Sequence, residues 1–468
     1  MGPVDDLDGG ATKRPRLKPS DKSMAVVLVA LVVILIVATI GVATVRNTQR
    51  SVRRAATATT TSTTVPGVTG APVAAEGLSD QQRRIVDEVK AQVAAIRGLA
   101  WQRDLPVKVV TRDELSRKIT ELNAKEIAKT RDELAAGESV LKLLQLIPRN
   151  LDYVKTIDAL LAGAVLGFYD DETQELYVGG EGASTIDVAT RSVLAHELTH
   201  ALTDQAFGFG AATRALDDQD RSEESAAFSA VIEGDAELVR TMWEQKHLSS
   251  DQRAEAARGS SDDTGTYDKV PPYLVHSLRF PYDAGSQFVR ARFKAGGFAE
   301  VDKAYRQPPT STEQILHPAL YAVGQGWTAP PFPDLAAATG CTKVDNGTLG
   351  EFDMSEVLDV QLSATDAVKA VAGWNGDAYG VVRCGAAVGF AQRWQTDAPA
   401  DAGRLTDALA RWSRGWSGTN KAPDATGRFS GPSGTGRLST SPGRVELVLA
   451  DDMPTADRLS GVLAAAPG

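Results

Sequence analysis

The spacing of hydrophobic and polar positions predicts helices along much of the chain, with a few short strands between them. A first helix is expected after Ser79, which can cap it, and its apolar positions recur at helical spacing: Ile85, Val86, Val89, Val93 and Ile96. Val107 to Val110 is typical of a strand. Thr111 and Glu114 form a capping-box pattern, which predicts that the next helix begins there.

Two more strands are predicted directly before the helix that contains His196 and His200. They are Ala164 to Tyr169 and Glu175 to Val178, separated by the polar turn Asp170 to Thr173. Ser184 to Asp187 supplies capping residues for the following helix, whose apolar stripe is Val193, Leu194, Leu198, Ala201 and Leu202. A second amphipathic run extends from Ser222 to His247, and its apolar side consists of Phe228, Val231, Ile232, Leu238, Val239, Met242 and Trp243.

The first of these two helices carries the candidate chemistry, in the stretch His196-Glu197-Leu198-Thr199-His200. Residues i and i+4 of a helix lie about 6 Å apart or less, so both imidazoles can reach one tetrahedral ion. Glu197 is offset from that pair and can hold a water molecule, acting as its general base. The pattern therefore predicts a hydrolytic zinc site. The alternative is a surface helix whose two histidines only titrate.

The second helix offers a third ligand, because Glu233, Asp235 and Glu237 interrupt its apolar stretch. A buried carboxylate is costly unless it is paired or bound to a cation. Glu233 and Glu237 share one helix face, so we expect Glu233 to bind the metal and Glu237 to accept the N–H of a ligand histidine. The alternative is three solvated acids on an exposed face, where Gly234 would weaken the helix for no purpose.

These residues resemble a known family. Ala195 to Asp204, which reads AHELTHALTD, closely resembles the active-site helix of thermolysin-like metallopeptidases, and Glu233 with an acid four residues later resembles their glutamate ligand and its partner. The interval between His200 and Glu233 is longer than in thermolysin, and Glu237 stands where aspartate is usual. In such zincins an edge strand pairs with extended peptide substrates, so the resemblance makes the predicted hairpin a candidate for that role. A hairpin that only covers the core is the alternative.

A broader resemblance, from about Leu151 to Tyr379, is to uncharacterised bacterial zincin-like proteins. It rests on five short motifs: Arg279-Phe280-Pro281-Tyr282, Ser311-Thr312-Glu313-Gln314, Leu316-His317-Pro318, Leu349-Gly350-Glu351 and Gly373-Trp374-Asn375-Gly376-Asp377. This resemblance implies a fold and a metal, but no substrate.

Hydrolysis of a carbonyl compound also needs a donor for the oxyanion that forms. Our preferred candidate is His317, with Glu313 four residues earlier able to orient its imidazole. Tyr282, in a predicted Phe-Pro-Tyr turn, could serve instead through its hydroxyl. For both residues a purely structural role is the alternative.

Charge and cysteine content restrict the partners and the compartment. A net charge of -10 argues against a nucleic-acid partner, which requires a basic face. Cys341 and Cys384 are the only cysteines, and such a pair suits a disulfide in an oxidising compartment, although two unpaired thiols are also compatible with the sequence.

Met24 to Val45 is an uncharged apolar run long enough to cross a hydrocarbon core of about 30 Å. It predicts a membrane anchor, with a cleaved signal peptide as the alternative. Together with the cysteine pair, it leads us to expect a cytoplasmic N-terminus and a domain outside the membrane. The Thr-rich segment after the span predicts a linker.

The chain changes character from Phe332 onward, where Gly and Ala become more frequent. Tyr379 to Val382 and Val445 to Leu449 are strand-like. Gly373 to Asp377 predicts a tight turn around a buried indole, and Thr426 to Ser441, dense in Gly and Ser, predicts a mobile loop.

Together these patterns predict the α+β fold class, with a mainly helical zincin-like catalytic domain and small sheet, an N-terminal transmembrane helix and a C-terminal α+β extension. The predicted division is a cytoplasmic tail (1–23), the transmembrane helix (24–45), the linker (46–78), the catalytic domain (79–331) and an accessory region (332–468). The expected function is a membrane-anchored, Zn²⁺-dependent metallopeptidase that cleaves peptide or protein substrates outside the cytoplasmic membrane. The alternative is a catalytically silent zincin-like binding or assembly module of the cell envelope.

Overall fold

The computed structural model describes residues 78–164, 166–180, 186–259 and 269–466. Their first half contains eight helices and three strands in this order: α1 Asp80–Arg97, β1 Val107–Thr111, α2 Arg112–Lys129, α3 Arg131–Leu143, α4 Tyr153–Ala164, β2 Gly167–Asp170, β3 Glu175–Gly180, α5 Val188–Phe207, α6 Phe209–Asp217, α7 Ser222–His247 and α8 Ser250–Gly259.

The second half begins with five helices and then alternates between sheet and helix. Its elements are α9 Pro272–Gly296, α10 Phe298–Arg306, α11 Thr312–Leu316, α12 Pro318–Val323, α13 Leu335–Thr339, β4 Thr342–Gly347, α14 Gly350–Asp359, α15 Ala364–Val371, β5 Trp374–Cys384, β6 Ala387–Thr396, α16 Pro399–Ser417, β7 Arg428–Gly431, β8 Gly434–Ser441, β9 Arg444–Ala450 and α17 Met453–Ala465.

Local capping signals in the sequence determine where several helices begin. Ser79 caps α1 in a capping box with Gln82, as predicted. Thr111 and Glu114 exchange hydrogen bonds of 2.9 and 3.2 Å at the start of α2, which confirms the second capping box. Each of these side chains satisfies a backbone N–H that the first helical turn leaves without a partner.

The small sheet has the strand order β1-β3-β2, so β2 lies at an edge. Strand β3 pairs in parallel with β1 and antiparallel with β2, and Phe168 lies opposite Tyr177 in this hairpin. The predicted hairpin is therefore confirmed. Its two aromatic rings stack with centroids 4.8 Å apart, which stabilises the pairing.

The larger sheet has six antiparallel strands in the order β4-β5-β6-β9-β8-β7. Strands β7 and β8 lie in the segment that we predicted to be a mobile loop, and that prediction is wrong. The glycines of this segment allow close packing, since a Cβ on Gly436 would lie 2.4 Å from the ring of Phe429. Phe429 in turn contacts Trp416 of α16, with centroids 5.7 Å apart. Tertiary packing thus orders a segment whose composition is typical of a loop.

The predicted turn at residues 373–377 is also corrected, because residues 374–377 belong to strand β5 and Gly373 alone of the five lies in a turn. The indole of Trp374 is buried as expected, and the pairing with β6 contains a bulge between Trp374 and Gly376. Gly376 has a φ of 130°, and a Cβ there would lie 2.1 Å from the carbonyl oxygen of Thr328. Close backbone contact, not a turn, therefore explains this glycine. A disulfide between Cys341 and Cys384 is present, as predicted, and joins the start of β4 to the end of β5.

The predicted fold class was wrong with respect to its transmembrane helix. The described residues are α+β, and none of their helices is long and apolar enough to cross a membrane. The two longest, α7 and α9, have 26 and 25 residues, but both carry charged side chains along their length because they are amphipathic. The span predicted at residues 24–45 lies outside the described residues.

Two large hydrophobic clusters organise the described residues. One contains buried side chains of α1, α5, α7, α9 and α10 and surrounds the predicted metal helix. The other runs from Leu115 to Leu449 and joins α2, α3 and α4 to α14, α16 and the large sheet. It crosses the boundary that we predicted between residues 331 and 332. For example, the indole of Trp416 donates to the carbonyl oxygen of Leu143 at 2.8 Å.

Candidate metal centre

Helix α5 carries His196 and His200 one turn apart. Asp187 caps its start by accepting a hydrogen bond of 2.7 Å from the backbone N–H of Thr190, and Gly208 ends it in the left-handed conformation. Between these ends the helix is buried on nearly all sides, so both imidazoles lie inside the protein. Their Nε2 atoms are 2.9 Å apart.

Helix α7 adds Glu233 to this pair. Its Oε2 lies 3.1 Å from Nε2 of His196 and 3.4 Å from Nε2 of His200. The next residue, Gly234, packs against α9, and a Cβ there would lie 2.3 Å from the carbonyl oxygen of Gly285. Gly234 therefore allows α7 and α9 to pack closely. This packing role argues against the alternative in which the three acids lie on an exposed face.

The spacing of these three donor atoms suits a tetrahedral ion. Two donors bound about 2.0–2.1 Å from such an ion lie about 3.3 Å apart. His196, His200 and Glu233 expose only 1%, 3% and 2% of their surface, so the donors converge in the interior. Among the described residues, they form the one group of three His, Cys, Asp or Glu side chains that could hold a metal ion. The three predicted ligands are thus brought together.

Electrostatics at this cluster favour a cation. Burial lowers the pKa of His196, but hydrogen bonds with Glu233 and Glu237 and the charges of Glu233 and Glu197 outweigh burial and raise it to about 10. Burial raises the pKa of Glu233, but the charges of the two histidines and their hydrogen bonds lower it to about 2. The metal-free cluster consequently binds a proton that a divalent cation can replace.

Glu237 lies on the opposite side of His196, and its Oε1 is 3.2 Å from Nδ1. Burial raises the pKa of this carboxyl, but Arg240 and His196 lower it well below its usual range. The carboxylate is therefore ionised and lies beside the ring, and its role as the acceptor for a ligand histidine stays a prediction. Such a contact fixes the ring so that Nε2 is directed at the metal position.

Glu197 is the candidate general base, and it exposes 5% of its surface. Its Oε2 accepts a hydrogen bond of 3.0 Å from the backbone N–H of Tyr169 in edge strand β2. Burial raises the pKa of Glu197, and the charges of His196 and His200 limit the increase. A raised pKa is what a carboxylate needs to act as a base near neutral pH.

Tyr169 also joins β2 to the far end of the metal helix. Its hydroxyl donates to Oδ2 of Asp204 at 2.9 Å, while its backbone N–H donates to Glu197. The hairpin therefore lies directly beside the candidate base. Its proposed role in pairing with a substrate stays a prediction.

Tyr282 lies at the metal centre, and His317 does not. The ring of Tyr282 stacks on His196 with centroids 6.2 Å apart. Burial, together with the charges of Glu233 and Glu197, raises its pKa well above the usual value. Tyr282 belongs to helix α9, with Pro281 inside that helix, so the predicted turn is corrected to a helix.

His317 is bound to another part of the molecule. Its Nε2 lies 3.1 Å from Glu351, which takes the place that we predicted for Glu313. The preceding helix α11 is fixed by Thr312, whose backbone N–H donates to Glu223 at 2.9 Å. Glu223 precedes Glu233 by ten residues of α7, which is about 15 Å along a helix axis. The helix before His317 is thus attached to the start of α7, and the ion-pair partner of His317 is Glu351 and not a residue of the metal centre.

Sequence reasoning missed two residues that contact the site. Arg240 binds both oxygens of Glu237, and its i, i+3 spacing on a helix could have indicated this. Tyr169 contacts Glu197 through its backbone, which depends on how strand β2 packs on α5 and has no signal in the sequence.

Comparisons with known proteins concern only the C-terminal part. Residues 339–462 match a family described as a domain of unknown function (DUF8575). This segment contains the six-stranded sheet and lies outside the candidate metal centre. No curated protein and no solved structure matches the chain.

Proposed function

We propose that the chain is a zinc-dependent metallopeptidase. The observation that supports this most is the convergence of His196, His200 and Glu233 at donor separations of 2.9 to 3.4 Å, with Glu197 next to them in the chain. Two imidazoles and one carboxylate are a ligand set typical of catalytic zinc. When bound, zinc polarises a carbonyl and lowers the pKa of a bound water to about 7.

Three residues of the chain have further roles in the proposed reaction. Glu197 takes a proton from the attacking water, whose oxygen forms a bond with the peptide carbonyl carbon, and later gives that proton to the leaving amine as the C–N bond breaks. One oxygen of Glu197 is held by Tyr169, which leaves the other for the proton. We assign the Tyr282 hydroxyl as the donor for the developing oxyanion, because the ring of Tyr282 stacks on the ligand His196.

The proposed substrate is a peptide or protein, and the proposed location is outside the cytoplasm. The disulfide between Cys341 and Cys384 supports this location, because disulfides persist mainly in oxidising compartments.

The test is hydrolysis of a peptide library by the zinc-loaded full chain, compared with Glu197→Gln. This variant should keep its zinc and lose at least about 100-fold in rate, because the base is gone. Glu356→Gln is the matched control, since Glu356 is also a buried glutamate beside a histidine, 2.7 Å from Nδ1 of His276. It should hydrolyse peptides at the wild-type rate. Equal rates for all three proteins would contradict the proposal.

A second candidate function is a catalytically silent binding or assembly module of the cell envelope. The burial of Glu197 favours it, because a carboxylate that exposes 5% of its surface is poorly accessible to a protein substrate. This candidate predicts a zinc-loaded wild type that cleaves no member of an unbiased peptide library. Cleavage that Glu197→Gln abolishes would exclude it.

A further inference from the structure

We propose that Arg240 is a positioning residue for the metal centre, which holds Glu237 against His196 and thereby strengthens the binding of a divalent cation. This inference rests on the proposed metal-dependent function. Arg240 is not itself a ligand. It acts through Glu237, which lies beside the ligand His196.

The first part of the argument is the contact between Arg240 and Glu237. Nε of Arg240 donates to Oε1 of Glu237 at 3.1 Å, and Nη2 donates to Oε2 at 2.7 Å. This two-point contact fixes the plane of the carboxylate as well as its position. The same Oε1 lies 3.2 Å from Nδ1 of His196, so the orientation set by Arg240 is the one in which the carboxylate meets the ring.

Arg240 is itself held from its other side. Its Nη1 donates to Oε1 of Glu244 at 2.7 Å and lies 3.4 Å from the hydroxyl of Ser192. Ser192 also donates to Glu244. Because Ser192 precedes His196 by one turn of α5, these contacts return to the metal helix. The result is a closed set of polar contacts between α5 and α7, with Arg240 in its centre.

Charge explains why an arginine is needed there. Glu233, Glu237 and Glu244 lie on one helix, and their side chains are between 2% and 18% exposed. Without the guanidinium, the Glu237 carboxylate would have His196 as its single charged partner and would gain more by turning toward water. A lysine would supply the charge but not the planar two-point contact. Loss of the contact should therefore leave the His196 ring less well oriented for the metal.

The chain offers a matched control in Arg97 of α1, whose partner lies on α7. Arg97 is buried and binds Asp235 of α7 at 2.9 Å, but its other partner is Asp302 and it has no contact with Glu237 among those described. Arg97→Gln therefore removes a buried ion pair from α7 without touching the contacts of His196. Arg404→Gln is a second control, because Arg404 forms an i, i+3 pair with Asp401 at 2.9 Å on α16.

The experiment measures the zinc dissociation constant of the full chain by competition with a chromophoric chelator. Arg240→Gln should raise the constant about 10–100-fold, and Arg240→Lys should give a value between that variant and the wild type. Arg97→Gln and Arg404→Gln should stay within about threefold of the wild type. In ¹⁵N NMR spectra of the zinc-loaded protein, the Nδ1 proton of His196 should exchange faster with solvent in Arg240→Gln.

If Arg240→Gln does not fold, Arg240→Lys and Glu244→Gln decide the question. The first keeps the positive charge but loses the two-point contact with Glu237, and the second removes the charge of Glu244 that holds Arg240 from its other side. The inference is overturned if the Arg240 variants bind zinc as tightly as the wild type, or if Arg97→Gln weakens binding equally. Its failure differs from failure of the proposed function. Loss of zinc affinity in Arg240→Gln without any peptidase activity in the wild type would contradict the peptidase and support the positioning role.

Discussion

Glu233 in the metal centre and Asp377 in the large sheet are both buried carboxylates, but their neighbours differ. Asp377 accepts four hydrogen bonds of 2.9 to 3.0 Å, from the backbone of Leu349 and Gly350 and from the side chains of Trp374 and Gln392. Glu233 faces two imidazole nitrogens instead. Neutral N–H donors satisfy Asp377 without a cation. Glu233 is instead neutralised by positive charge, which comes from protonated His196 in the metal-free protein and from the cation when a metal ion replaces that proton.

The comparison separates two uses of a buried acid. In the sheet region, Asp377 connects β5 and β6 to the start of α14, and its role is structural. In the helical region, His196, His200 and Glu233 converge as a group that could hold a metal ion. In our proposal Glu237 and Arg240 orient the ring of His196. The predictions below test this division.

The largest expected effect is on folding, from Asp377→Ala. This variant leaves four buried donors without their acceptor, and the free energy of unfolding should fall by on the order of 3–5 kcal/mol. Urea unfolding measures this change. The zinc affinity of the folded variant should equal that of the wild type, and a weaker affinity would show that the two regions are not independent.

Gly234→Ala should affect both stability and metal binding. The new methyl group would press on Gly285 of α9, and overpacking of this kind costs about 1–3 kcal/mol. Because α9 also carries Tyr282, zinc affinity should fall as well. The control is Gly403→Ala on α16, where a Cβ meets nothing within 4 Å and stability should rise by about 0.5–1 kcal/mol. If Gly234→Ala left the free energy of unfolding and the zinc affinity unchanged, close packing of α7 on α9 would not be what positions the site.

A smaller, graded effect is expected from pH. Glu233 and Glu237 raise the pKa of His196 to about 10, so zinc must displace a proton below that pH. The dissociation constant in zinc-buffered solution should therefore fall about tenfold per unit between pH 7 and pH 9. In the metal-free protein, the free energy of unfolding changes in the opposite direction to zinc affinity. The raised pKa of His196 stabilises the fold fully below the ordinary value of 6.5, and this stabilisation is lost as pH rises through 10. A constant zinc affinity over this range would contradict the assigned proton.

The smallest expected effect concerns Glu313, which is near His317 and outside the metal centre. Burial and the charges of Glu351 and Asp397 raise its pKa to about 8. A raised carboxyl pKa means that stability is greatest below its ordinary value of 4.5 and decreases as pH rises toward 8. Glu313→Gln should remove this decrease, so the free energy of unfolding above pH 8 should rise by on the order of 1 kcal/mol. Thermal unfolding as a function of pH measures this change. If the variant and the wild type had the same pH dependence of stability, the raised pKa of Glu313 would be contradicted.

Local signals allowed parts of the fold and site to be predicted. The i, i+4 spacing of His196 and His200 is set by helix geometry alone, and the caps at Ser79 and Asp187 depend on residues within three positions. Glu233 could be predicted because an acid on an apolar face requires a partner.

What could not be predicted depends on distant packing. His317 pairs with Glu351, 34 residues away, and not with Glu313 four residues before it. Tyr169 contacts Glu197 only because edge strand β2 lies on α5. Strands β7 and β8 form where Phe429 meets Trp416, although their composition is typical of a loop.

The central claim is that His196, His200 and Glu233 bind one divalent cation, and zinc analysis tests it most directly. The purified full chain, dialysed against buffered zinc, should retain about one ion per chain, and the double variant His200→Ala, Glu233→Gln should retain none while keeping its helical content. A wild type without zinc, or a double variant that retains it, would contradict the account.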